Sequence, residues 1–405
     1  MEELLYVDLF AGSGGLSLGL HEAGWKGLFA VEKNKDAFNT LKYNLIDEKN
    51  HFYWPQWLQQ TNLDIKDLLK LYKKDLKQLK GKISLVVGGP PCQGFSMAGK
   101  RNGDDIRNSL CHSYIEFIKL VIPKVIFFEN VHGFTIGFDK DGEKGQPFSE
   151  ITINQLTKLG YKVKGKIIDV SQYGVPQKRK RFILIGVRHG DPNIFFNKLD
   201  INRDLFIKNK KINNYITIEQ AIGDLKKSNG TIECPDSKGF KSGKYGKCTS
   251  KYQRAMRKGN KKTLVYPDSH RFANHREDTV TLFEKLMAIS DNAIRITPSQ
   301  NLVDGLKKRG ITPLKANSIC TTVTSIPDDF VHYCEPRIMT VREMARIQSF
   351  PDWYEFKGKY TTGGELRKVD VPRYTQVANA VPPLFAEQVG IVLKEMLSNE
   401  WNFTF

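Results

Sequence analysis

The chain has 405 residues, enough for two or three domains and a sizeable core, so a disulfide-stapled peptide is excluded. Hydrophobic residues make up 40% and charged residues 26% of it, and no run of about 18 apolar residues offers a membrane span. Lys and Arg outnumber Asp and Glu by 62 to 44, a net charge of +18 that reflects either a polyanionic partner, nucleic acid first, or the Lys codon bias of an AT-rich genome.

The chain opens on Glu2-Glu3 with no basic residue ahead of its apolar stretch, so it does not read as a secretory signal and a cytoplasmic location is expected. There the six cysteines stay reduced. They contain no C-x-x-C pair and no usual zinc spacing, so no metal site is expected, and a single cysteine is free to act as a nucleophile. The first predicted element is a strand over 4–10, followed by the turn AGSGG (11–15) and the helix LSLGLHEAG. Gly12, Gly14 and Gly15 let the backbone approach a ligand, and the helix N-terminus beyond them presents free N–H groups. The spacing is neither a strict G-x-G-x-x-G nor a phosphate loop. Glu32 ends the next apolar run (26–32), where an acid either binds the two hydroxyls of a ribose or sits solvated beside a tight turn.

A buried strand over 83–89 leads into GGPPCQGFS (88–96), whose prolines stiffen the loop that presents Cys92 at the carboxyl edge of the sheet. A lone cysteine is otherwise a packing residue, and a nucleophile needs cationic or helix-dipole help to ionise. Glu129 closes the apolar run 124–130 near the same edge, either as a structural carboxylate or as a desolvated one that donates a proton at neutral pH. Two further apolar runs, 160–170 and 180–188, flank a loop. QKRKR (177–181) enters the second, where strand alternation puts Gln177, Arg179 and Arg181 on one face, a fork for carbonyl or phosphate oxygens unless the run is only solvated. Strands alternating with helical spacers up to about residue 190 predict βαβ units and a mostly parallel sheet, with ligands at the carboxyl ends of its strands.

From about 190 to 340 the periodicity fades. Within this stretch, residues 238–262 hold ten Lys and Arg and no acid, with Phe240, Tyr245 and Tyr252 interleaved. Regular structure returns at Thr340, where T-V-R-E predicts a capping box ahead of the helix VREMARIQSF, stopped by Pro351. Residues 376–397 read as a turn followed by a docking helix.

Taken in order, these segments resemble the cytosine-5 DNA methyltransferase family of bacterial restriction–modification systems. DLFAGSGG (8–15) is similar to its S-adenosylmethionine loop, Glu32 to its ribose acid, and Asp64-Ile65 to the pair near the adenine. GGPPCQGFS resembles the nucleophile loop, Glu129-Asn130-Val131 the glutamate motif, Gln177-x-Arg179-x-Arg181 the Q-x-R-x-R motif, REMARIQSFP (342–351) the late helix motif and QVANAVPP (376–383) the closing motif. The family usually has Gly where Ala378 stands, and residues 356–375 are longer than its usual link. The resemblance implies an α/β fold with a Rossmann-like S-adenosylmethionine-dependent methyltransferase domain (1–190 plus 375–405) and a smaller, irregular target-recognition domain (191–374). It implies cofactor contacts at Asp8, Phe10, Ala11, Gly12, Ser13, Gly14, Gly15, Leu16, Glu32, Asp64, Ile65, Pro91 and Asn379.

By the same resemblance Cys92 adds to C6 of cytosine, Glu129 bonds the exocyclic amine and N3, and Arg181, with Arg179 beside it, holds the carbonyl oxygen. The base must be extruded from the duplex, and residues 96–110 resemble the closing loop. The expected partner is double-stranded DNA, gripped at its phosphates by Lys241, Lys244, Lys247, Lys251 and Arg254, with His270, Asn274, His275 and Arg276 as candidate base readers and TTVTS (321–325) supporting DNA handling. A monomer acting apart from a cognate restriction endonuclease is expected, with no membrane association. The rival reading is a tRNA cytosine-5 methyltransferase of the same fold, whose Cys-Phe-Thr tripeptide is absent here.

Overall fold

Apolar runs rich in Val, Ile, Leu and Phe form a six-stranded sheet whose strands we label β1 (Leu5–Leu9), β2 (Lys26–Val31), β3 (Leu85–Gly88), β4 (Val125–Val131), β5 (Lys162–Asp169) and β6 (Lys180–Val187). The computed structural model describes residues 4–91, 106–137, 139–140, 143–260, 265–289, 293–304, 306, 310–363, 366 and 370–398. It divides into two compact units. The first comprises Met1–Asp169, Lys180–Arg203 and Phe385–Phe405, and the second Val170–Arg179 and Asp204–Leu384. Residues 191–203 thus fall in the first unit and 375–384 in the second. No helix among the described residues is long and apolar enough to cross a membrane.

The sheet of the first unit has the order β2-β1-β3-β4-β6-β5. β2, β1, β3 and β4 run parallel, while β6 is antiparallel to both β4 and β5. The central strands are buried on both faces, which is why they read as unbroken apolar runs. The outer strand β5 instead exposes Lys162, Lys164 and Lys166, charges that discourage pairing with another chain. The strand order reverses direction beside β1, and in open α/β sheets such a reversal marks the carboxyl strand ends where ligands bind.

Two glycines bring that edge together. A Cβ on Gly88 would lie 1.9 Å from the Leu9 carbonyl oxygen, and one on Gly89 would lie 1.9 Å from that of Glu129. Only glycine therefore lets the loop after β3 leave the sheet wedged between the ends of β1 and β4. On the far side, the helix Gly15–Glu22 packs so closely on the helix Pro383–Ser398 that a Cβ on Gly19 would meet that of Ala386 at 2.3 Å. The faded periodicity gives no sign of the helix Asn193–Asn209. Phe195, Phe196 and Leu199 are buried, while Ile194 and Ile201 on other faces are exposed, which blurs the pattern; Lys198 and Asn202 bond Glu395 of the last helix.

In the second unit a two-stranded ribbon, β7 (Thr231–Glu233) with β8 (Lys241–Gly243), is extended by a bridge from Ser242 to Arg271. Its apolar cluster gathers Phe283, Leu286, Ile296, Val331 and Ile338. The expected capping box forms: the Thr340 hydroxyl accepts from the Glu343 N–H at 3.2 Å and the Glu343 carboxylate accepts from the Thr340 N–H at 2.7 Å. The helix ends at Ile347, before the predicted Ser349-Phe350, because Ser349 takes a left-handed backbone with φ 66°. All seven residues of this helix are buried, three of them charged, and each charge has a partner, as burial demands. Arg342 donates to Asp268 at 3.1 Å, Glu343 takes two bonds from Arg337, and Arg346 is held by Asp224 and Asp352.

Candidate active site

At the end of β1 the chain turns through Phe10, which adopts a left-handed φ of 60°, a strained conformation that a packed surrounding must enforce. The Ala11 N–H donates to Val31, and Gly14 caps the following helix with φ 84°. Phe10 and Gly12 are half-exposed; Ala11, Ser13, Gly14, Gly15 and Leu16 are buried. A Cβ on Gly12 would meet nothing, so open space lies above this glycine.

Glu32 holds the loop. One carboxylate oxygen accepts from the Gly12 N–H at 2.9 Å and the other from the Asn34 N–H at 2.6 Å. Burial nevertheless lifts its carboxyl above the usual range, against those backbone bonds. Asn34 belongs to none of the sequence motifs; an Asn immediately before a helical stretch is a capping signal that could have found it, and its side chain accepts from the N–H groups of Asp36 and Ala37. The Glu32 carbonyl also accepts from Leu63, which sets Asp64 beside it. Burial works against ionisation of Asp64, but Lys33 at 2.9 Å and the Lys66 N–H outweigh it and hold the carboxyl below its ordinary value. Ile65 is buried in the helix Asp64 caps.

Asp8 lies beneath the loop and is only 1% exposed. One oxygen accepts from the Ser17 hydroxyl at 2.5 Å, while the other has no partner among the described residues. Burial pushes its carboxyl from 3.8 to about 7, the Ser17 bond opposing and the Glu32 charge adding. Because the folded-state value lies above the unfolded one, the native protein binds the extra proton between about pH 4 and 7, and stability falls as pH rises through that window. Asp8→Asn should therefore melt at the wild-type temperature near pH 4 and above it beyond about pH 7, read by thermal denaturation across pH; an equal difference at both ends would remove this linkage.

The second cluster lies at the ends of β4 and β6. Their antiparallel register sets Val131 opposite Arg181 and Glu129 opposite Ile183, so Glu129 and Arg181 are diagonal neighbours on one face. The Arg181 Nε donates to one oxygen of the Glu129 carboxylate at 3.0 Å, both side chains being mostly buried. The Asn130 amide donates to the Pro90 carbonyl at 3.2 Å, anchoring the start of the loop after β3. Pro91 is exposed at the last described position of that loop. Cys92 and residues 96–105 of the expected closing loop lie outside the described residues, and 106–110 begin the helix Ile106–Val121.

Arg179 has a different place from the one strand alternation suggests. The strand starts only at Lys180, because Pro176 precedes Gln177 and that residue bridges Cys320 instead. Arg179 is buried in the second unit, where it donates to the carbonyls of Ala378 at 2.8 Å and Ala380 at 3.2 Å. The Gln348 amide, for which the sequence offers no role, donates to the Val377 carbonyl at 2.7 Å and accepts from the Gln177 amide at 2.8 Å. Gln177 in turn accepts from the Val323 N–H, and the Thr322 hydroxyl donates to Lys178. These bonds gather the segments 177–179, 322–323, 348 and 377–380, and Asn379 is exposed at the end of the helix Arg373–Asn379.

Lys241, Lys244, Lys247, Lys251 and Arg254 are all exposed, although Lys241 is paired with Glu233. Of the interleaved aromatics Tyr252 is buried, and the Arg257 guanidinium stacks 4.0 Å from the Tyr245 ring centre. His270 is a core residue, not a base reader. Its ring is fully buried between the Thr340 hydroxyl and the Leu225 carbonyl, both at 2.8 Å, and burial lowers its pKa to about 4. Asn274 bonds the Gly239 carbonyl, half-buried His275 accepts from the Ile338 N–H, and Arg276 is exposed beside Asp278.

Residues 4–395 match the family model for C-5 cytosine-specific DNA methylase. The chain is 32% identical over 398 residues to a type II methyltransferase of Desulfomicrobium norvegicum, covering 95% of this chain and 87% of that protein. It is 31% identical to one of Haemophilus parahaemolyticus, covering 98% and 88%. Its fold matches a prophage-encoded E. coli protein described as a DNA modification methyltransferase, with a TM-score of 0.63 at 24% identity over 98% of this chain and all of that one.

Proposed function

The chain belongs to the C-5 cytosine-specific DNA methylase family, and on that footing we propose that it methylates C5 of an extruded cytosine in duplex DNA through a covalent Cys92 adduct, as the modification enzyme of a type II restriction–modification system. The observation that carries this reading is the Glu129–Arg181 pair, held at the carboxyl edge of the sheet beside the glycines that launch the Cys92 loop.

C5 of cytosine is a poor nucleophile. The Cys92 thiolate forms a bond to C6, and the C5–C6 π pair moves onto C5. The Glu129 carboxyl faces N3 and the exocyclic amine and supplies the proton that lets the ring accept this charge, while Arg181 holds both that carboxylate and the cytosine carbonyl oxygen. The pair on C5 forms the bond to the incoming methyl group, whose bond to the donor sulfur breaks, and loss of the C5 proton then restores the C5–C6 double bond, expels the Cys92 thiolate and returns the N3 proton to Glu129. Arg179 holds the segment that carries Asn379 through the Ala378 and Ala380 carbonyls.

The residues at the end of β1 fit S-adenosylmethionine. The open space over Gly12, the unpartnered oxygen of Asp8 and the Glu32 carboxylate fixed by two N–H groups form a cradle with acids for a cationic, ribose-bearing ligand. When bound there, the cofactor supplies the electrophilic methyl group. Phe10, Ser13, Gly14, Asp64, Ile65 and Pro91 border the same edge.

The exposed lysines of the second unit grip the DNA backbone. Neutralising Lys241, Lys244, Lys247 and Lys251 should lower the slope of log affinity against log salt by roughly 0.9 for each phosphate that these side chains neutralise, read from binding isotherms at several salt concentrations; an unchanged slope returns the tract to solvated surface. Bisulfite sequencing of a plasmid from cells expressing the protein tests the reading as a whole. Protected cytosines within one repeated sequence are expected, and a fully converted plasmid from cells holding soluble protein would defeat it.

A further inference from the structure

Among the described residues of the second unit, five arginines lie over aromatic rings: Arg257, Arg271, Arg337, Arg342 and Arg373. Four of them also hold a carboxylate: Arg257 that of Asp224, Arg337 that of Glu343, Arg342 that of Asp268 and Arg373 that of Asp236. Arg271 pairs with no carboxylate among the described residues. Its guanidinium is sandwiched between Phe240, 4.2 Å from the ring centre, and Tyr360 at 3.9 Å, and donates a hydrogen bond to the Ser237 hydroxyl at 3.1 Å. Tyr360 is itself fixed, donating to Asp236 at 3.0 Å with Arg373 stacked on its ring. Residue 271 extends the β7–β8 ribbon, its neighbours His270 and Phe272 buried and its own side chain half-exposed, and Lys238, Lys241 and Lys244 are exposed along the same segment.

Two rings that clamp a guanidinium fix its plane and remove the rotamer entropy a surface arginine loses on binding. The donors in that plane are not spent on an acid. A preoriented planar fork without a counter-charge suits a planar pair of acceptors, and the edge of guanine in the major groove, O6 with N7, is such a pair. A phosphate needs no fixed plane, and the flexible lysines nearby already serve phosphates. We propose that Arg271 is a specificity-determining residue that reads a guanine of the recognition sequence, at a position other than the target pair. This rests on the DNA cytosine reading above.

The test uses the full chain on a duplex library with randomised bases around cytosine, read by bisulfite sequencing. Wild type should require G·C at one position outside the target pair, and both Arg271→Ala and Arg271→Lys should relax that position about 10- to 100-fold with preferences elsewhere retained. Lysine is the informative change, since it keeps the charge and removes the fork. A wild-type measurement independent of any variant's folding places 7-deazaguanine, which lacks the N7 acceptor, at that position; methylation should fall several-fold. Arg271→Lys with the wild-type profile, a uniform decrease over all sequences as a phosphate-binding role gives, or indifference to 7-deazaguanine would each overturn the assignment while cytosine methylation stands. A wild type that methylates no cytosine in the library would instead overturn the reading beneath it.

Discussion

Cys92→Ser should reduce methyl transfer by roughly 10⁴- to 10⁶-fold, the decrease typical of deleting a covalent nucleophile, while duplex binding persists. The magnitude follows from ionisation. A thiol with a reference pKa near 8.5 supplies a useful thiolate fraction at neutral pH, more with a cation nearby, whereas a serine hydroxyl does not. Neither buried thiol with a raised pKa can substitute. Cys111 and Cys320 are shut away from solvent, and burial pushes both thiols up, that of Cys111 to about 12. The assay is transfer of a labelled methyl group alongside a binding isotherm for the same duplex. Retained turnover would remove Cys92 from the mechanism, and abolished binding would make its role one of structure.

The second large effect is expected at the Glu129–Arg181 pair. Glu129→Gln keeps the shape and a hydrogen bond but cannot supply a proton, so kcat should fall about 10²- to 10⁴-fold with little change in DNA affinity. Arg181→Ala removes both the donor to the carbonyl oxygen and the partner of Glu129, and should cost about 10²- to 10³-fold in kcat. Since one side chain positions the other, the double variant should fall much less than the product of the two single decreases. Fully multiplicative effects on single-turnover rates would show that the two groups act separately and that the 3.0 Å pairing is incidental.

The first unit was legible in the sequence because parallel strands buried on both faces read as unbroken apolar runs, each followed by its loop chemistry: glycines after β1, Glu32 after β2, Gly-Gly-Pro-Pro after β3 and Glu129 at the end of β4. What failed there was an alternation carried too far. Gln177 and Arg179 precede the strand, and nothing local announces that Gln177 is turned toward Gln348, a residue 171 positions away. The second unit was opaque for the same reason. Its organising groups are buried ion pairs such as Arg346 with Asp224, and stacks such as Arg271 between Phe240 and Tyr360, whose members lie far apart in the chain. His270 shows the converse error. A histidine in a polar stretch looks available, yet its ring is spent between Thr340 and Leu225. The basic tract kept its exposed lysines, but its aromatics divide: Tyr252 is buried, while Tyr245 and Phe240 stack on Arg257 and Arg271.

Cytosine carrying fluorine at C5 offers the most direct test of the covalent pathway, because fluorine cannot leave as a proton does and the C6–sulfur bond then cannot break. With the wild-type protein, S-adenosylmethionine and a duplex bearing this base at the methylated position, a protein–DNA band that survives denaturing electrophoresis is expected, in one-to-one ratio and absent with Cys92→Ser. Enzyme that methylates ordinary cytosine at that position but yields no such band, or a band that persists in Cys92→Ser, would contradict attack by Cys92 at C6.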